Sequence, residues 1–232
     1  VNPAEWNGGL EWQLLAVPRR DPASGSFRAG SSSLALKAHA YGASGEWDFL
    51  AAIHYEEAVW GIGYAGYLGE AVWRFDLVAG KTAFEEAFLG AVVNMDYSWN
   101  TFGRNVYGSV ELHYNSTGES DPTAFAANRP LLARLERGEQ FTLGHAYLAA
   151  NLRYELHPLL NLHAATLVNL GDPSAVFQPR LVWNPFQNLE ITLGGAVNLG
   201  PRGTEFGGLP LPGETGYLEH PDQAYLRIKG FF

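Results

Sequence analysis

Apolar and polar side chains alternate with period two over segments of about ten residues, and this pattern recurs along the whole chain. Few architectures accept it. In one segment Leu34, Leu36, Ala38 and Ala40 fall on one side while Lys37, His39 and Tyr41 fall on the other. In another, Leu189, Ile191, Leu193, Val197 and Leu199 oppose Glu190, Thr192 and Asn198. The reading is of an all-β chain of about twelve strands at 9–17, 32–41, 47–56, 60–68, 73–77, 89–99, 106–115, 147–155, 160–170, 177–184, 189–199 and 222–232. Such segments match a tilted strand that crosses a bilayer, which needs roughly nine to eleven residues.

The connections sharpen this expectation. Long segments rich in Gly, Pro, Ser or charge follow strands one, seven and eleven, at 18–31, 116–139 and 200–221, while every connection after an even-numbered strand is short. The long ones therefore share one end, as in an antiparallel transmembrane β-barrel with short periplasmic turns and long external loops. Within 116–139, Pro130 opens a stretch to Arg137 that reads as one or two turns of helix. The expected domain is a single barrel over 1–232.

Composition agrees and excludes several classes. Aromatic residues make up 13% and charged residues only 17%, with 27 Gly, suiting aromatic girdles and tilted strands. There is no Cys, so disulfides, thiolate metal sites and covalent haem attachment are ruled out. No run of eighteen apolar residues is available for a transmembrane helix. A net charge of -9 argues against nucleic acid as a partner. The sequence opens Val1-Asn-Pro without Met or a signal peptide, which reads as a processed form or a part of something longer.

The apolar phase is nearly free of charge, and Leu36, Phe49, Phe75, Val93, Leu152, Leu181, Leu193 and Leu226 are expected to face lipid. The polar phase collects Lys37, His39, Asp48, His54, Glu56, Arg74, Asp76, Asp96, Glu111, His113, Arg153, Glu155, His163, Arg180, Glu190, Arg227 and Lys229, the candidate pore-lining residues. Six are Lys or Arg and seven are Asp or Glu, so their charge nearly balances. Four histidines on this phase come from separate strands without H-x-H spacing, and the reading assigns no metal site.

The terminal stretch from Asp222 alternates Ala224, Leu226, Ile228, Gly230 and Phe232 against Tyr225, Arg227, Lys229 and Phe231. It is similar to the C-terminal strand of bacterial outer-membrane β-barrels. The resemblance implies that Phe232 is an assembly signal read by the barrel-assembly machinery. The passage His145 to Gly208, with Tyr-Glu-Leu-His-Pro-Leu-Leu, Gly-Asp-Pro-Ser, Phe-Gln-Pro and Arg202-Gly-Thr-Glu-Phe-Gly-Gly208, resembles the C-terminal part of porin-like outer-membrane proteins of Gram-negative bacteria. In that group further strands precede the matching region, which would make twelve a lower bound. The implied surroundings are the lipid bilayer and lipopolysaccharide, with a second copy or membrane-complex partners left open.

Two motifs fall away. Gly61-Ile-Gly63-Tyr-Ala-Gly66 spells a dinucleotide fingerprint, but it sits inside an alternating strand and no helix follows. His54 beside Glu56 and Glu57 is the only constellation suggestive of hydrolysis, and no serine elbow accompanies it. The reading is therefore of no enzyme and no cofactor. The leading expectation is a porin-like outer-membrane channel for passive diffusion of small polar solutes or ions. The alternative is an occluded structural or scaffold barrel anchoring partner proteins, including an electron-conduit sheath.

Overall fold

The computed structural model describes residues 9–20, 24–211 and 216–231. Phe232 lies outside them, as do parts of 18–31 and 200–221. The strands are β1 (Leu10–Val17), β2 (Ser33–Tyr41), β3 (Gly45–His54), β4 (Glu57–Leu68), β5 (Ala71–Lys81), β6 (Ala87–Thr101), β7 (Arg104–Asn115), β8 (Ala146–His157), β9 (Leu160–Asn169), β10 (Ser174–Phe186), β11 (Leu189–Leu199), β12 (Leu209–Pro210), β13 (Tyr217–Leu218) and β14 (Gln223–Gly230). Twelve of them form one meander in sequence order from β1 to β14, a sheet that is not closed into a barrel. The short β12 and β13 pair with each other inside the last long connection, where the sequence pattern indicates loop alone.

The chain packs as two compact units, residues up to 93 with 114–117, and residues 94–113 with those from 118 onward. In the first unit the strand registers carry the apolar phase intact across five strands. Leu14, Leu36, Ala51, Trp60 and Ala79 stand opposite one another in turn, as do Trp12, Ala38, Phe49, Ile62 and Leu77. In the second unit Tyr154, Leu162, Leu181, Leu193 and Leu226 make a comparable row. A slip of one residue on any ladder would throw such a row onto the polar face, so the pattern and the pairing specify each other.

These rows are not covered. Leu14 is 75% exposed and Leu226 is 65% exposed, whereas the buried apolar residues among those described are only Ala38, Phe88, Val106, Leu131, Tyr147 and Leu209. A water-soluble domain of this length hides far more of its large apolar side chains. Aromatic rings gather toward the short-turn end of the apolar face in the first unit. Tyr64 lies 4.7 Å from Trp47 and 5.0 Å from Trp73, and Trp47 meets Phe75 edge-on at 5.9 Å.

Connections after even-numbered strands through β10 are confined to 42–44, 69–70, 102–103, 158–159 and 187–188. At the other end the connections 18–32, 116–145 and 200–222 are the long ones, interleaved with the shorter 55–56, 82–86 and 170–173. The structure thus reproduces the parity of connection lengths expected from sequence.

One boundary moves. The sequence pattern runs the third strand through Glu56, but Tyr55 and Glu56 are the two-residue turn itself, with φ of 50° and 68°. Both positions of this hairpin turn require the left-handed region, which costs a non-Gly residue roughly 1–2 kcal/mol. The Tyr55 ring is held edge-on to His54 at 4.8 Å and beneath the Arg19 guanidinium at 4.6 Å, contacts that offset part of that cost. Glu56 therefore leaves the set of strand residues on the polar face. The dinucleotide spelling also lies wholly within β4, where Gly63 sits between Asp48 and Asp76 in the register.

The helix expected at Pro130 is present as α1 (Arg129–Glu136). The Asn128 side chain caps it by accepting from the Leu131 amide at 3.1 Å, and Leu131 is fully buried. Upstream in the same connection Asp121 accepts from both the hydroxyl and the amide of Thr123, which hold its carboxyl below the usual range.

Candidate functional site

The candidate pore-lining residues within strands stand on the face opposite the apolar rows, because alternate residues of one strand must point to opposite sides. In the first unit Glu11, His39, Asp48, Gly63 and Asp76 occupy one register row. Asp48 accepts from Lys37 Nζ and from His39 Nδ1, both at 2.8 Å. His54 faces Ser33 directly and shares a 2.7 Å hydrogen bond with its hydroxyl, while Arg19 donates to that same hydroxyl at 2.7 Å. Arg74 follows Tyr41, Glu46 and Ala65 in a neighbouring row.

In the second unit Asn94 donates to Glu111 at 3.4 Å and Asn105 donates to Glu155 at 2.5 Å. Asp96 lies on β6 between the apolar-face residues Met95 and Tyr97, which puts it on the polar side. His113 rests against the Tyr147 ring, 6.3 Å between centroids. Glu190 stands opposite Lys229 and receives its ammonium at 3.4 Å, with Arg227 at 3.9 Å. The four polar-face histidines thus have four different settings, and among the described residues no three of His, Asp or Glu gather in a metal-holding group.

Arg153 and Arg180 differ from the other cations. Arg153 faces His163, His163 faces Arg180, Arg180 faces Gly194, and Gly194 faces Tyr225, so the two arginines flank a histidine in one row across five strands. Among the described residues neither guanidinium has a carboxylate partner, in contrast to Lys37, Arg227 and Lys229. They border a recess of about 600 Å³ on the polar face, which also reaches Asn151, Gln178 and Gln223. Sequence alternation assigns each arginine to this face but says nothing of their shared row, because the row depends on the connections at 158–159 and 170–173, which set β8, β9 and β10 against one another.

A second polar group lies at the long-connection end of this unit and escaped the sequence reading. Glu205, only 6% exposed, accepts from the Tyr147 hydroxyl at 2.5 Å, the Asn169 amide at 2.8 Å and the Leu143 backbone N–H at 2.8 Å. Its own N–H donates to Asp172 at 2.8 Å, and Ser174 donates its hydroxyl to the other oxygen of that carboxylate. The knot ties the connection 200–222 to 116–145 and to the turn 170–173. Its one sequence signal was a lone carboxylate in the Gly-rich run from Arg202 to Gly208.

No family model, curated protein or solved structure matches this chain.

Proposed function

We propose that this chain forms a transmembrane β-barrel of a Gram-negative outer membrane and works as a porin-like channel for small polar solutes or ions. One observation carries the reading: the ladders hold an exposed apolar face, charged in these registers only at Lys81 on the end of β5, apart from a charged face on strand after strand. A sheet of this kind satisfies its backbone internally and meets hydrocarbon with one surface and water with the other. Closure into a barrel removes the unpaired edges that β1 and β14 would otherwise offer. The uneven connections suit short turns in the periplasm and long loops outside.

In this reading the polar-face residues line the water path and conduction is passive. Glu56 being in a turn leaves Lys37, Arg74, Arg153, Arg180, Arg227 and Lys229 against Asp48, Asp76, Asp96, Glu111, Glu155 and Glu190, to which the registers add Glu11 and Glu46 on the same face. Such a mixture, with a modest excess of carboxylates, gives mild selectivity for cations, since strong rejection needs a ring of one sign. The folded protein is expected to give discrete conductance steps in a planar bilayer. Replacing Arg153 and Arg180 together by Gln should move the reversal potential toward cations without closing the path. Silence from a correctly folded barrel would instead favour an occluded scaffold that anchors partner proteins.

The assembly reading has its own test, and it concerns Phe232. Deleting that residue is expected to lower the amount inserted in the outer membrane while the barrel that does insert keeps its stability. Normal insertion of the truncated chain would remove the terminal strand as an argument.

A further inference from the structure

The recess between Arg153 and Arg180 has the chemistry of a ligand site rather than of plain channel wall, and its parts are arranged in two neighbouring rows. The first row is Arg153, His163, Arg180, Gly194 and Tyr225. Adjacent strands lie about 4.8 Å apart, so the two arginine backbones stand roughly 10 Å from each other with His163 between. Side chains as long as arginine's close that gap onto a single anionic group, and the planar fork of a guanidinium matches a carboxylate. With no carboxylate among the described residues paired to either, both forks face the recess as sites for a ligand.

The second row supplies neutral donors and acceptors. Asn151 faces Ala165, Ala165 faces Gln178, and Ala196 faces Gln223. Each amide lies two residues from a member of the first row on its own strand, about 7 Å along the same face. An amide both donates and accepts, as a hydroxyl does, so this row suits hydroxyl groups better than a second charge. Ala165 and Ala196 keep the floor low beneath these longer side chains, the Tyr225 ring lies over Gly194, and the resulting 600 Å³ is within the range of small-molecule sites.

We infer that this recess binds a small hydroxylated carboxylic acid of sugar-acid size. Its carboxylate lies between Arg153 and Arg180, and its hydroxyl-bearing body lies along Asn151, Gln178 and Gln223. The inference rests on the polar face being open to water, as in the channel reading, and it names the solute class that such a channel would favour.

Calorimetric titration of the refolded full chain in detergent micelles tests it, with gluconate, glucose, acetate and inorganic phosphate as probes. Gluconate is expected to bind saturably, and the other three roughly tenfold or more weakly, because each lacks one half of the match. Arg153→Gln with Arg180→Gln should weaken gluconate by roughly ten- to a hundredfold. Lys81→Gln, the loss of one positive charge outside the recess lining, should leave it unchanged. Equal binding of acetate or phosphate, or an unaltered double variant, overturns the inference. Should the double variant fail to fold, Gln178→Leu serves in its place and is expected to weaken gluconate while sparing acetate; equal weakening of both, or of neither, overturns the inference. Conductance recorded on the same preparation separates the two readings. Binding without conductance sinks the channel and leaves the site, and conductance without gluconate binding does the reverse.

Discussion

Replacing Glu205 by Ala is expected to free the connections it ties together, raising their local opening by about two to three orders of magnitude. The substitution strands three donors at once, the Tyr147 hydroxyl, the Asn169 amide and the Leu143 N–H, in a place where Tyr147 is 1% and Asn169 is 5% exposed. Each unsatisfied buried donor costs about 1–3 kcal/mol, and water entering the vacated space recovers part of it, leaving about 3–4 kcal/mol. Glu205→Gln keeps one acceptor oxygen but turns an NH₂ toward groups that also donate, so it should fall between Ala and the native residue. Hydrogen exchange at the Leu143 and Gly144 amides, together with protease cutting within 116–145, reads the effect. Native-like protection in Glu205→Ala would show that the knot does not hold these connections.

The second large effect is expected on the opposite face. Leu193 is 55% exposed and stands between Leu181 and Leu226, in a row whose other members are Leu162 and Tyr154. Against hydrocarbon, Arg at this position should cost roughly 2–4 kcal/mol. The matching change on the polar face is Asn161→Arg, which sets the new cation directly opposite Glu155 and should stay within about 1 kcal/mol of the native chain. Thr192 makes a poor control because it is fully buried, and a large side chain would be resisted there on size alone. Unfolding in lipid vesicles by denaturant measures both variants. If Leu193→Arg is as stable as Asn161→Arg, the apolar rows do not face lipid.

The strands were legible because their signal is local: each needs only its own alternation, and the turns between them are too short to hide a register slip. Glu56 was misplaced for the same reason. A turn built from Tyr55 and Glu56 carries none of the Gly or Asn that announces positive φ, so alternation ran on through it. The helix at 129–136 could be found because Pro130 marks its first turn. What alternation cannot supply is anything that depends on distant residues meeting. Tyr147 and Glu205 are 58 positions apart, and the row joining Arg153 to Arg180 exists only once three strands have been set side by side.

Because every strand of the main sheet pairs only with its neighbours in the chain, the architecture can grow or shrink by whole hairpins. Adding or removing an adjacent pair of strands leaves all other ladders with their partners and keeps both chain ends on the same side. Duplication of a single hairpin is thus a short genetic step that widens the sheet without rethreading it. The same locality keeps the sequence separation of pairing residues small, so assembly can advance one hairpin at a time along the chain.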